Sequence, residues 1–488
     1  MSAAPGYEVV IGLEVHVQLR TETKLFCGCA VSYGHAPNHH TCPVCLALPG
    51  ALPVLNARAF EHAVLAALAT HCTVHPRSVF ARKNYFYPDL PKGYQISQYE
   101  EPLATAGWLE IAAEAEGGSG GGAPLRRVGI TRIHMEEDAG KSVHDGGGAE
   151  TRVDLNRSGV PLVEIVSEPD LRSPGEAGAY LRALREILRY VEASDADMEK
   201  GQLRCDANVS LRRPGETRLG TRTELKNLNS FRFVEEALRA EIARQAALLE
   251  AGEPVVQATL GYVPETGRIF VMRTKENADD YRYFPDPDLI PLQIPEERIA
   301  ALRSALPELP EARRARFESE LGLPAAQARV LTASRGLAEF TEAVARAHGD
   351  ARAAANWVAR DVLAALREAG REIEGAALEP EGLARLMRLV DEGRVTAHSA
   401  RSLVPALLAE GGDPEALVRA RGLETVTDDA VLEGLAAEVL AAHPDAVATY
   451  RGGDAKALNF LMGQVMRKTQ GKADPARVRA LLRAKLEG

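Results

Sequence analysis

From Val9 to Arg20 the chain alternates. Val9, Ile11, Leu13, Val15, Val17 and Leu19 are apolar, and Glu14, His16, Gln18 and Arg20 stand between them. A repeat of two belongs to a strand, whose successive side chains point to opposite faces, so Glu14 and His16 share one face. Residues 202–211 repeat the pattern, with Gln202, Arg204, Asp206, Asn208 and Ser210 on one face and Leu203, Cys205, Ala207, Val209 and Leu211 on the other. Arg222, Glu224 and Lys226 alternate likewise with Thr221, Thr223 and Leu225. One apolar and one polar face per strand predicts an antiparallel sheet that packs on helices through one side and leaves the other as a working surface.

Helices punctuate this region. Ser173-Pro174-Gly175-Glu176 is a capping box with proline at the first helical position. Tyr180, Leu181, Leu184, Ile187, Leu188 and Val191 follow at helical spacing. After about residue 295 the strand patterns vanish and Ala, Leu, Arg and Glu dominate. Leu383, Leu386, Met387 and Val390 mark an amphipathic helix that Gly393 is placed to close. The turn cluster Glu410-Gly411-Gly412-Asp413-Pro414 suggests a boundary. The expected class is α+β, with an α+β domain over 1–295, a helical domain over 296–410 and a tail domain over 411–488. The glycine-rich stretches 117–122 and 146–148 read as loop tips rather than phosphate cradles.

Composition narrows the function. A chain of 488 residues holds two to four domains at roughly 100–200 residues each. Its 45% hydrophobic and 26% charged residues are those of a soluble globular protein. The net charge of -10 excludes a surface positive all over. Residues 451–488, however, carry nine basic and three acidic side chains, a local net of +6. Arg467, Lys468, Lys472, Arg477 and Arg479 in that tail are candidate phosphate contacts. No apolar run approaches the ~18 residues of a membrane span, and the N-terminus lacks a secretory pattern. A reducing cytoplasmic setting is therefore expected, with the six cysteines serving as thiols or metal ligands.

Three constellations carry chemistry. Cys27-Gly-Cys29 and Cys42-Pro-Val-Cys45 are two close pairs that can place four thiolates around zinc, and His35, His39 and His40 in the intervening loop are possible substitutes. A site filled by four protein ligands is structural. Cys72 and Cys205 read as core residues. The second constellation is acidic: Glu14 and His16, then His134-Met135-Glu136-Glu137-Asp138, then Glu164 inside an apolar run. A carboxylate in such a run needs a partner, either a divalent cation or a Lys or Arg side chain, and hard oxygen ligands would suit magnesium. Strand alternation alone leaves both Glu136 and Glu137 open as ligands. The third is basic and aromatic: Arg82-Lys83-Asn84-Tyr85-Phe86-Tyr87-Pro88-Asp89 and Pro91-Lys92-Gly93-Tyr94-Gln95-Ile96-Ser97-Gln98. A lysine near an acidic metal site fits phosphate handling, and aromatics with proline fit an ordered loop packed on the core equally well. Gly140-Lys141-Ser142 is only the end of a P-loop pattern, and no serine-rich amidase signature is present, so any reaction that needed ammonia from glutamine would have to take it from another chain.

Taken together, Ile11–Gln18, Arg82–Asp89, Tyr94–Gln98, Ile133–Lys141, Val153–Arg157, Val163–Asp170, Leu203–Asn208, Glu224–Phe231 and Asp280–Pro285 resemble, in order and over nearly the whole chain, the GatB family of B subunits of glutamine-dependent aspartyl/glutamyl-tRNA amidotransferases. The resemblance implies a cradle-shaped catalytic domain related to glutamine synthetase, then a helical domain and a tail that touches tRNA. It implies ATP- and magnesium-dependent phosphorylation of the side-chain carboxyl of glutamyl-tRNA(Gln) and/or aspartyl-tRNA(Asn), then amidation. Partners would be a glutaminase A subunit of amidase type and a small C subunit in a heterotrimer. It makes His16, Glu137 and Glu164 magnesium ligands with Glu14 beside them, and sets Lys83 near the reacting phosphate. Zinc cysteines occur in some members, and this chain has all four. One departure is Gln257-Ala258-Thr259-Leu260, where the family usually carries glutamate and arginine in place of Ala258 and Leu260. Rival readings are a non-catalytic tRNA-binding zinc protein and a metal-dependent ligase of a small amino acid.

Overall fold

The computed structural model describes residues 6–112, 125–144, 150–274, 281–426 and 428–487. The glycine-rich stretches 117–122 and 146–148 lie outside them, as does Asp280. The chain divides into two compact units, 1–310 and 311–488.

The strands of the first unit are, in chain order, β1 (Glu8–Gln18), β2 (Thr73–Val74), β3 (Arg77–Ser78), β4 (Ala81–Asn84), β5 (Tyr94–Ser97), β6 (Ala104–Ala112), β7 (Leu125–Glu137), β8 (Lys141–His144), β9 (Thr151–Asp154), β10 (Pro161–Ser167), β11 (Leu203–Arg212), β12 (Thr223–Leu228), β13 (Ala258–Val263), β14 (Arg268–Thr274), β15 (Phe284–Pro285) and β16 (Leu292–Gln293). Among the described residues, nine form one sheet in the order β14-β13-β12-β11-β1-β10-β7-β6-β2. Its pairings are antiparallel except β12 with β13, which run parallel. β1 lies near the centre because both of its faces have work: Ile11, Leu13, Val15 and Val17 are almost wholly buried on one side.

Helices α1 (Ala57–Ala69), α2 (Pro174–Tyr190) and α3 (Phe231–Glu250) supply the rest of that core. Half of the capping box predicted for α2 is seen: the Ser173 hydroxyl accepts from the Glu176 N–H at 3.1 Å, while the Glu176 carboxylate accepts the Arg172 N–H at 2.7 Å. Asn56 and Ser230 cap α1 and α3 in the same manner. Cys72 and Cys205 are buried in the core. Ala258 and Leu260 are buried too, and Thr259 between them donates to the Glu224 carboxylate at 2.9 Å. The segment that departs from the family thus packs β13 with apolar side chains.

The helical texture begins at residue 296, and α4 (Glu296–Ser304) packs on α1 and contributes Ile299 and Leu302 to the same core, within the compact unit that runs to Pro310. Among its described residues the second unit contains two apolar cores. One gathers Phe317, Leu337, Val344, Leu383, Met387, Leu403 and Val418, and includes the amphipathic helix Pro380–Asp391, followed by Gly393 at φ +68°. The turn at 410–414 is real, with Gly411 and Gly412 both at positive φ, yet helix Pro414–Ala420 beyond it still packs into this first core through Val418. The second core joins helices Asp429–Ala442, Lys456–Lys468 and Pro475–Glu487 through Leu432, Val439, Leu461, Val465, Val478 and Leu482.

Candidate functional site

The face of the nine-stranded sheet opposite the helices collects the polar side chains that alternation predicted. Register does the gathering. Glu164 on β10 lies opposite His16 on β1 and His134 on β7, and His16 lies opposite Arg204 on β11. One cross-strand row therefore reads Arg204, His16, Glu164, His134. Two residues along β7 from His134, Glu136 shares its face. The ligand atoms of His16, Glu136 and Glu164 fall within 4.8 Å of one another. His16 Nδ1 is 3.0 Å from Glu136 Oε1 and 3.8 Å from Glu164 Oε2, and His134 Nε2 is 3.4 Å from Glu164 Oε2.

The electrostatics are those of a crowded cluster of charges. Burial alone would lower the His16 pKa, but its hydrogen bond with Glu136 and the charges of Glu136, Glu164 and Asp206 outweigh this and raise it to about 9. Burial would raise Glu164, and the nearby His134, His16 and Lys83 instead hold it well below the usual carboxylate range. Lys83 on β4 is desolvated, yet Tyr283, Glu136 and Glu164 keep it firmly charged. Its ammonium also lies 5.1 Å from the centre of the Tyr281 ring. The strand bearing Lys83 is fixed by its neighbours: Arg82 donates to Asp286 and Asp288, each at 2.9 Å, and the Asn84 amide donates to the Arg282 carbonyl at 2.7 Å.

Glu137, expected beside His16 and Glu164, is not brought to this cluster. It follows Glu136 on one strand, so it takes the opposite face, the one that buries Met135. There its carboxylate accepts the Ile96 N–H at 3.0 Å and pairs with the Lys92 ammonium at 2.5 Å. With Lys24, Phe26, Cys45 and Lys92 it lines a cavity of about 190 Å³. Glu14 does keep its place on the His16 face, but its oxygen accepts from the Asn208 amide at 3.0 Å and its nearest acidic company is Asp206 and Glu224. Lys226 bridges those two, 3.2 Å from Glu224 and in contact with Asp206. Sequence reasoning put Asp206 and Glu224 on polar faces without assigning them to a site.

The sulfur atoms of Cys27, Cys29, Cys42 and Cys45 also converge within 4.8 Å. Cys45 Sγ lies 4.0 Å from Cys29 Sγ and 3.9 Å from Cys42 Sγ. Hydrogen bonds from the Cys27 thiol and the Cys42 N–H, with the positive charge of Lys24, bring Cys45 down to about 4, whereas burial pushes Cys29 up to about 11.

In the second unit, Arg467, Lys468, Arg477 and Arg479 are exposed and Lys472 is half-buried. Lys468 pairs with Glu438 at 2.7 Å and Arg477 with Asp429 at 3.7 Å. Such surface pairs are worth about 0–1 kcal/mol, too little to withhold either cation from a stronger anion. The turn holding Lys472 is anchored: the Val426 N–H donates to the Lys472 carbonyl, and the Thr396 hydroxyl to the Gly471 carbonyl, at 2.9 and 2.8 Å.

Comparison with known proteins places this geometry. Residues 9–300 match the model of the GatB/GatE catalytic domain, and residues 339–486 match that of the GatB domain. Proteins named as the B subunits of aspartyl/glutamyl-tRNA(Asn/Gln) amidotransferases are similar from end to end. That of Geotalea daltonii is 52% identical over 485 residues, covering 99% of this chain and 100% of its own. That of Syntrophotalea carbinolica is 50% identical over 482 residues, 99% of each chain. That of Geobacter sulfurreducens is 52% identical over 486 residues, 99% of this chain and 100% of its own.

Proposed function

The chain belongs to the GatB/GatE family, and from that membership we propose that it is the B subunit of an aspartyl/glutamyl-tRNA(Asn/Gln) amidotransferase, activating the side-chain carboxyl of glutamyl-tRNA(Gln), aspartyl-tRNA(Asn) or both with ATP. The observation that carries this reading is the buried His16–Glu136–Glu164 cluster with Lys83 beside it. Two carboxylates share that pocket with imidazoles as their ion-pair partners, a donor set that fits a hard divalent cation. Magnesium held by Glu136, Glu164 and His16 would supply positive charge where phosphate oxygens gather. The geometry favours Glu136 for this role, with Glu137 instead securing Lys92.

The chemistry accounts for the residues. A carboxylate is a poor electrophile because oxide is its leaving group. Transfer of the terminal phosphoryl group of ATP to a carboxylate oxygen forms an acyl phosphate and releases ADP. Ammonia then forms the C–N bond while the C–O bond to phosphate breaks, and phosphate leaves. Phosphoryl transfer asks of a protein mainly position and charge. Lys83 offers a fixed cation to the phosphate oxygens, held by the Arg82–Asp286 and Asn84–Arg282 contacts. Glu14 stays on the same face, oriented by Asn208.

The same membership supports the remaining assignments. The sheet and its helices act as the glutamine synthetase-like cradle, followed by the helical and tail domains. Cys27, Cys29, Cys42 and Cys45 hold a structural zinc ion. Arg467, Lys468, Lys472, Arg477 and Arg479 contact tRNA phosphates. Ammonia comes from a glutaminase A subunit in a heterotrimer with a small C subunit, in the cytoplasm. Among the described residues, no helix is long and apolar enough to cross a membrane. The test is amide formation by the purified complex on each misacylated tRNA. Product should require ATP, magnesium and this chain, and product formed without ATP would overturn the reading.

A further inference from the structure

We infer that His35, His39 and His40 form a second metal site, separate from the four cysteines, that takes one borderline divalent ion such as zinc or nickel. The ring nitrogens of these three residues lie within 4.8 Å of one another, as a group distinct from the cysteine group. The His35 and His40 rings meet edge to face at 4.6 Å, and His39 and His40 do so at 4.8 Å. Three imidazoles without a carboxylate suit zinc or nickel rather than magnesium. Bond lengths of about 2.0–2.1 Å to zinc ask the nitrogens to draw somewhat closer, which exposed side chains can do by small rotations. His35 and His39 are exposed and His40 half-buried, so an ion here would keep at least one position open to solvent.

Three histidines in one loop converge only if the loop is built to present them, and this one is. Gly34 and Asn38 both adopt positive φ, at +85° and +59°, which folds the segment back on itself. The Asn38 side chain accepts the Leu155 N–H at 2.8 Å and donates to the Val153 carbonyl at 3.0 Å. Asn156 answers from the other side, its side chain accepting the His40 N–H at 2.8 Å and donating to the Ala36 carbonyl at 2.7 Å. Buried Lys24 donates to the His40 carbonyl at 2.8 Å. Ser32 Oγ lies 2.9 Å from His40 Nε2, the kind of outer contact that orients a ligating imidazole and leaves Nδ1 for the ion. The cysteine set needs none of these histidines, since four thiols are enough to fill a four-coordinate site.

The experiment uses the full-length chain, dialysed against zinc and assayed by elemental analysis, with cobalt substitution to report thiolate ligation. Wild type should hold a second equivalent of zinc, removable by a mild chelator. His35→Ala with His39→Ala should lose that equivalent and keep the sulfur-to-cobalt absorption of the cysteine site. Ser32→Ala, which retains all three imidazoles, should bind the second ion about 10-fold more weakly. The inference is overturned if wild type binds a single ion, if the second ion survives the double substitution, or if the double substitution removes the thiolate-bound ion as well. The last result would make the histidines ligands of the cysteine site.

Discussion

Glu164 is only 7% exposed and lies between two imidazoles, whereas Arg479 projects from the last helix into solvent. The first unit and the tail both concentrate charge, but under opposite conditions. At the sheet face His16, Glu164 and Lys83 are desolvated and held by neighbouring charges, so their ionisation is displaced and the loss of one leaves a partner stranded. In the tail the charges face water, pair loosely and act by number. Burial makes a charge specific; exposure makes it additive.

Substitutions should sharpen that contrast, and the largest effect belongs to the buried cluster. Glu164→Gln or Glu136→Gln should cut ATP-dependent amidation by about 100-fold or more, because several kcal/mol of charge stabilisation is lost at about 1.4 kcal/mol per decade. Steady-state amidation assays check this. Glu137→Gln should behave differently from Glu136→Gln. It strips the partner from Lys92, so it should lower thermal stability by about 1–3 kcal/mol and leave the magnesium dependence of residual activity unchanged. Glu136→Gln should instead raise the magnesium requirement. Equal behaviour in a magnesium titration would erase the distinction drawn between the two faces of β7.

Next in size is Cys42→Ser, which opens the four-thiol site. It should release zinc and lower the melting temperature by on the order of 5 °C, with a smaller effect on the chemical step. Calorimetry with elemental analysis measures both. Smallest are the tail substitutions. Arg467→Gln or Arg479→Gln should each weaken tRNA binding only severalfold and reduce the salt slope by about 1, the mark of one lost phosphate contact. Point substitution is the right probe here. Truncation at 451 would remove helices Lys456–Lys468 and Pro475–Glu487 and expose Leu432 and Val439, unfolding what remains of that core. If either arginine alone abolished binding at every salt concentration, the tail would be a specific site rather than an additive one.

Strand content was legible because alternation is local. The segments 9–20, 202–211 and 222–226 became β1, β11 and β12 with their polar faces together. The neighbours were not legible, since β1 pairs with β10 and β11, whose residues lie some 150 to 200 positions away. That is why Asp206 and Glu224 could be placed on a face but not beside Glu14. The Glu136 face had a signal in the apolar Ile133 and Met135, which share the side of Glu137 and leave Glu136 with His134. The end of the first unit is hard to read from sequence for another reason. α4 has the composition of the helical region, and only its packing on α1 shows where it belongs.

The most direct test of the account is ADP formation by the assembled complex, measured with and without misacylated tRNA, for wild type and Glu164→Gln. Wild type should release ADP in step with amide formation and only when charged tRNA is present. The variant should lose that coupled ADP while its partner still hydrolyses glutamine. Undiminished tRNA-dependent ADP release by Glu164→Gln would contradict the assignment of the buried sheet face as the site of carboxyl activation.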